Sequence, residues 1–366
     1  RYSHDGQAAR LLLDHDCRLR GIVEFVEAEE GRRYRLHYRT SLDERWRVIG
    51  EYLELDGHVL PLAFDYDNRH LFALSDMDRD TAALYRFDPE TGELGEPVYA
   101  NERYDVHDVI LSDAEQRLVG VRYVADGPRT VWVEEKRARL DAAIAEALPE
   151  YAVHIEFSED GRVALVDASG VRAPGGYWLY DAEAGTLKEL LKKAEWLRPE
   201  DMAPVRAVQF EARDGLTIHG YLTSPVSFEG DAPPLIVNPH GGPYGVRTAA
   251  TFNSTNQFFA SRGYAVLQVD FRGSGGYGSA YEKAGRGQYG EAMVDDLADG
   301  VRWAAEEGLA DPARVCIYGA SYGGYSALVA AVEYPELYRC AISFAGLTDL
   351  RDHFRSAARD SSFYAN

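Results

Sequence analysis

Three segments in the first half of the chain share one pattern at a nearly constant spacing. A fixed period of this size restricts the fold more than any other feature. Phe64-Asp65-Tyr66-Asp67-Asn68-Arg69-His70 runs into Leu71-Phe72-Ala73-Leu74. Leu111-Ser112-Asp113-Ala114-Glu115-Gln116 runs into Arg117-Leu118-Val119, and Phe157-Ser158-Glu159-Asp160-Gly161 into Arg162-Val163-Ala164-Leu165. Each is an apolar residue, a polar turn and a strand, and the starts at 64, 111 and 157 lie 47 and 46 residues apart. A weaker copy, Tyr2-Ser3-His4-Asp5-Gly6, leads into Leu11-Leu12-Leu13. A second landmark agrees: Asp88 and Asp181 each close an aromatic strand at a turn, two periods apart. About four short strands per repeat suggest the blades of a β-propeller, which bury their faces only by stacking on neighbours. A β-sandwich with accidental similarity is the alternative. Glu134 to Ala147, rich in Ala, Glu, Lys and Arg, reads as a helix inserted in a blade.

Near Pro204 the grammar changes. Phe210 to Ile218 reads as a hairpin turned at Asp214-Gly215. Strands then alternate with helices: strands at 235–237, 265–269, 315–318 and 341–344, and helices at 291–305, with Met293, Leu297 and Val301 on one face, and 325–332. That alternation predicts a parallel sheet covered by helices on both faces.

The chemistry is carried by Gly319-Ala320-Ser321-Tyr322-Gly323-Gly324, between a strand and a helix. This is the context of a nucleophile elbow, in which a sharp turn lifts the serine hydroxyl above the sheet and small neighbours let the chains pass. Ser321 is therefore the candidate nucleophile. Asn238-Pro239-His240-Gly241-Gly242-Pro243-Tyr244 follows the strand at 235–237. Acyl transfer needs donors for the oxyanion of its tetrahedral intermediate, and glycines let backbone N–H groups come close. The backbone N–H groups of Tyr322 and Gly242 are the candidate oxyanion hole. His240 reads as a residue that shapes this loop rather than as the catalytic base. The run Asp270-Phe271-Arg272-Gly273-Ser274-Gly275-Gly276-Tyr277-Gly278 lacks the Lys of a phosphate-binding loop and the GxGxxG spacing, so it reads as a structural loop at the site mouth organised by Arg272.

Composition removes other classes. With 60 acidic against 39 basic residues and a net charge of −21, the surface repels nucleic acid and anionic membrane. No apolar run is long enough to span a bilayer, and the ten histidines show no metal-ligand spacing, so neither metal nor cofactor is expected. Cys17, Cys316 and Cys340 are too few for a disulfide framework; Cys316 and Cys340 lie in apolar runs, which predicts core packing. The sequence begins at Arg1 rather than Met, so compartment stays open between the cytoplasm, which is favoured, and the periplasm or exterior.

The His240-Gly241-Gly242-Pro243 loop, the Phe271 to Gly278 run, the Gly319 to Tyr325 elbow, Asp214-Gly215 and Asp295-Asp296 together resemble the prolyl oligopeptidase family of serine peptidases, nearest its acylaminoacyl-peptidase and dipeptidyl-peptidase-like branch. The resemblance covers residues 206 to 350. It implies an α/β hydrolase preceded by an all-β propeller that screens access, so that short peptides enter and are cleaved near their N-terminus. Residues 1–205 are then a partial propeller of about four blades, and 206–366 an α/β-hydrolase catalytic domain. It maps Ser321 to the nucleophile and the Tyr322 and Gly242 N–H groups to the oxyanion hole. It also implies that the acid and base follow the nucleophile in the order Asp then His, each after a further strand. Asp349 and His353 come too soon, so both domains are expected to be incomplete, both triad partners to lie outside this sequence, and the chain alone to be inactive. An esterase on the same scaffold, or a dead hydrolase whose propeller binds partners, are the alternatives. A homo-oligomer is compatible with the sequence. A dipeptidyl-type enzyme would hold the substrate amine with acidic residues; Glu27, Glu29 and Glu30 are available but read as a surface run.

Overall fold

The computed structural model describes residues 7–28, 31–53 and 56–351. The weak opening repeat at 2–6, Glu29, Glu30 and His353 lie outside the described residues, as does the side chain of Glu27. The described residues divide into two compact units. The first holds residues up to Tyr123 with Gly276–Ala280, and the second holds Val124–Gly275 and Tyr281–Thr348.

In the first unit, β1 (Gln7–Leu13), β2 (Leu19–Ala28), β3 (Gly31–Tyr38) and β4 (Arg47–Leu53) form one antiparallel sheet in chain order. A second is built the same way from β5 (Val59–Phe64), β6 (Leu71–Ser75), β7 (Ala83–Asp88) and β8 (Glu93–Tyr99). β9 (Val106–Ser112) then pairs antiparallel with β10 (Arg117–Val124). The periodic motif is the hairpin between β5 and β6 and again between β9 and β10. Its turn needs one residue in the left-handed region, which Asn68 (φ 53°) and Gln116 (φ 51°) supply here, and Gly161 (φ 68°) in the second unit. β6 is buried along its whole length. Leu71 and Ala73 pack with Leu12, Val23, Leu36 and Phe87, whereas Phe72 and Leu74 pack with Leu84, Val106 and Leu118. A strand apolar on both faces is what stacked sheets require.

The second unit opens with β11 (Pro128–Trp132) and α1 (Glu135–Ala147), the helix expected there. Ile144 of α1 joins the core of a further four-stranded antiparallel sheet, β12 (Ala152–Phe157), β13 (Val163–Ser169), β14 (Gly176–Asp181) and β15 (Thr186–Lys192). The aspartates two periods apart make the same turn. Asp88 Oδ1 accepts from the N–H groups of Glu90 and Thr91, and Asp181 Oδ1 from those of Glu183 and Ala184. Gly92 and Gly185, four residues on, take positive φ.

From Val205 a six-stranded sheet carries the chemistry. Its strands are β16 (Val205–Glu211), β17 (Thr217–Thr223), β18 (Leu235–Val237), β19 (Ala265–Asp270), β20 (Val315–Ala320) and β21 (Cys340–Phe344), in the order β16-β17-β19-β18-β20-β21. The helices are α2 (Ser254–Ala260), α3 (Ser279–Ala284), α4 (Ala292–Glu306) and α5 (Tyr322–Glu333). β18, β19, β20 and β21 run parallel, as the alternation predicted, but β16 and β17 are antiparallel, because a two-strand hairpin cannot supply a crossover. α4 buries Met293, Leu297 and Val301.

One expectation is corrected. Cys316 and Cys340 are not simple core residues: they form a disulfide with Cα atoms 4.7 Å apart. The parallel register places Cys316 directly opposite Cys340, and β21 is the edge strand, where Cys340 is exposed.

Candidate active site

β20 leads into Ser321, whose φ of 55° and ψ of −122° lie in a region that few residues other than glycine adopt. Such a conformation costs about 1–3 kcal/mol and persists only where the surroundings enforce it. The Ser321 N–H donates to Phe344 O at 3.0 Å, and Ser321 O accepts from the Tyr325 N–H at 3.0 Å. Glycines make the turn sterically feasible. A Cβ on Gly319 would stand 2.3 Å from the backbone of Gly323, and one on Gly324 would stand 2.8 Å from Gly346 Cα. α5 begins at the next residue, Tyr322, earlier than the pattern of apolar residues indicated. The Ser321 side chain does not cap α5 and is exposed, so the hydroxyl lies free at the positive end of a 12-residue helix.

The loop after β18 comes alongside. An added Cβ on Gly241 would be 3.5 Å from Ser321 Cβ and 4.0 Å from its Oγ. Gly242 has φ 122° and a cis peptide bond to Pro243. Among the described residues, the N–H groups of Gly242 and Tyr322 donate to no other group. Tyr322 itself is buried, with its hydroxyl donating to Tyr289 O at 2.7 Å, and burial pushes its phenol well above the usual range.

The His240 side chain is mostly buried, with 11% of it exposed. Nδ1 lies 2.7 Å from Gly241 O, Nε2 lies 2.8 Å from Ser274 Oγ, and the ring stacks on Phe271 at 4.3 Å. Burial lowers its pKa. With both nitrogens engaged it is no base for Ser321. Among the described residues no histidine is hydrogen-bonded to Ser321, and Asp349 is exposed. Arg272 is a structural residue here. Its backbone N–H and its guanidinium bind the buried Asp296, at 2.9 Å and 2.8 Å, and the guanidinium also binds Asp214 at 2.7 Å. These hydrogen bonds hold Asp214 down at about 2 and raise Arg272 further. Ser274 and Asp270 have no assigned role in the sequence analysis; their signal there was only that they are polar residues inside a glycine-rich run.

Residues 250–363 match the prolyl oligopeptidase family. Dipeptidyl aminopeptidase BIII of Pseudoxanthomonas mexicana is 33% identical over 300 residues, which is 79% of this chain and 43% of that protein. The acylamino-acid-releasing enzyme of Arabidopsis thaliana is 34% identical over 155 residues, 39% of this chain and 20% of that enzyme. A puromycin-hydrolyzing peptidase of Mycobacterium tuberculosis shares the fold with a TM-score of 0.72 at 23% identity, over 92% of this chain and 52% of that one. The chain spans less than half the length of these two curated relatives. Its small antiparallel sheets are β-propeller sheets, and the sheet that follows is that of an α/β hydrolase.

Proposed function

Because the chain carries a prolyl oligopeptidase family domain, we propose that the protein is a serine peptidase that cleaves short peptides near their N-terminus through an acyl-enzyme on Ser321. The observation that carries this reading is the Ser321 turn: an exposed, uncapped hydroxyl held in left-handed backbone beside Gly241. Ser321 Oγ attacks the scissile carbonyl, and its proton passes to a general base and then to the leaving amine. The oxyanion sits between the free N–H groups of Gly242 and Tyr322, each worth about 100- to 1000-fold in rate. Water then hydrolyses the ester. The base and its orienting acid come from outside the described residues. In this reading residues 1–205 are the propeller that limits access and 206–366 the hydrolase portion. The relatives point to a dipeptide or an N-acylated residue as the released group.

The test is turnover of dipeptidyl and N-acetyl-aminoacyl p-nitroanilides by full-length protein, alongside fluorophosphonate labelling. Ser321→Ala is expected to abolish labelling and to lower kcat by at least about 1000-fold. A Ser321→Ala protein that turns over like wild type would sink the assignment.

A further inference from the structure

The loop that carries Gly242 does not stand alone; it lies on the glycine-rich run after β19. The Gly245 N–H donates to Gly273 O at 3.3 Å, and the Gly275 N–H donates to Val246 O at 3.1 Å. The Thr248 N–H donates to the buried Asp270 carboxylate at 2.8 Å. The two backbones approach so closely that a Cβ on Gly275 would lie 2.6 Å from Gly245 O. The run is itself anchored by Arg272 on Asp296. Beside the Phe271 ring stack, a side-chain hydrogen bond reaches from it to the residue that precedes the two glycines: Ser274 Oγ to His240 Nε2, 2.8 Å.

Gly241 O can only accept, so its 2.7 Å contact with His240 calls for a hydrogen on Nδ1. Burial lowers the pKa of the ring, against the Asp270 carboxylate 3.9 Å from Nε2, which favours the charged form. The Ser274 hydroxyl donates to Phe271 O at 2.7 Å, and that carbonyl also accepts the Ser274 N–H at 3.0 Å. The lone pairs of Oγ remain for the His240 Nε2 edge 2.8 Å away. Ser274 is fully buried, so no water replaces it.

Resting on the reading of Gly242 and Tyr322 as the oxyanion donors, we propose that Ser274 is a positioning residue: its hydroxyl fixes the His240 ring, and through Gly241 O that ring fixes the Gly242 N–H. Without the hydroxyl, a buried ring nitrogen is left unpaired and the loop loses the contact that orients it. A Cβ added to Gly241 would touch Ser321, so the loop runs beside the nucleophile and a shift of it acts on acyl transfer rather than on peptide affinity. A displacement of about 1 Å near a reacting centre costs up to about 100-fold.

The experiment compares full-length wild type with Ser274→Ala, His240→Phe, which keeps the ring stack on Phe271, and the double variant. Melting temperature, fluorophosphonate labelling, kcat and KM are read for each. The expected result is kcat lowered about 10- to 100-fold in each single variant, with KM within about twofold. The double variant should be no slower than the slower single one, because both break the same contact. Wild-type kcat in either single variant, or fully multiplying losses in the double, would overturn the proposal. If Ser274→Ala does not fold, His240→Phe alone decides it. Wild-type protein that neither labels nor turns over would instead refute the peptidase reading, which the labelling arm separates from failure of Ser274 alone.

Discussion

Gly323→Ala tests the site with a magnitude that follows from the coordinates. In isolation the change favours the fold, since Gly323 is in the first turn of α5 and alanine in a helix is better than glycine by about 0.5–1 kcal/mol. The site reverses that sign. An added Cβ would lie 2.3 Å from Pro239 O and 3.2 Å from His240 O, both backbone atoms. Restoring ordinary contact near 3.4 Å moves the Pro239 carbonyl by about 1.1 Å. α5 is held by the sheet through the Ser321 N–H on Phe344 O, so the 238–242 loop is the part that gives way. That displaces the Gly242 N–H relative to Ser321 by an amount expected to cost about 100-fold in kcat. The assay is the second-order rate of fluorophosphonate labelling with kcat on a p-nitroanilide. Gly127→Ala is the control, because its nearest neighbour would be 3.5 Å from the new methyl. Labelling and turnover of Gly323→Ala within twofold of wild type would refute the claim that this backbone contact sets the loop.

Two further outcomes follow from other contacts. Mass spectrometry of non-reduced protein should find a peptide joining Cys316 to Cys340 with Cys17 alkylated, and Cys340→Ser should lose about 3 kcal/mol in urea unfolding for a bridge with a sequence separation of 24; an alkylated Cys316 in non-reduced protein would contradict it. The Asp214 carboxyl is held at about 2 by Arg272, below its unfolded value, so its stabilisation is present above about pH 4 and disappears as pH falls towards 2. Asp214→Asn should therefore melt below wild type at pH 6 and converge with it near pH 2, by a small margin because the side chain is half exposed; a gap that is constant with pH would show that the pair does not titrate as described.

What could be read in advance was what is local. The hairpin at Phe64, Leu111 and Phe157 repeats because each turn needs the same polar residues and one left-handed position, and those demands are met within seven residues. The Asp88 and Asp181 turns are legible for the same reason: one carboxylate serves two N–H groups of its own turn. The elbow needs only a strand, small residues and a helix in sequence. The disulfide was not legible, because pairing Cys316 with Cys340 requires the register between two parallel strands, which no run of residues in either strand encodes. The partners of Arg272 and His240 escaped likewise: Asp214, Asp296 and Ser274 lie 58, 24 and 34 residues away along the chain.

The places where local preference is violated are also informative. Serine at φ 55° inside a turn, exposed and not capping the helix it precedes, is a poor choice for stability alone. A glycine there would relieve the backbone. The surroundings nonetheless enforce it: the Phe344 carbonyl on one side, Gly319 against Gly323, and Gly324 against Gly346. One backbone hydrogen bond and two close approaches intolerant of a Cβ converge on one strained residue whose hydroxyl makes no structural bond. Strain enforced in this way, with no folding interaction gained by the side chain of the residue that bears it, is the physical argument that Ser321 is placed for chemistry.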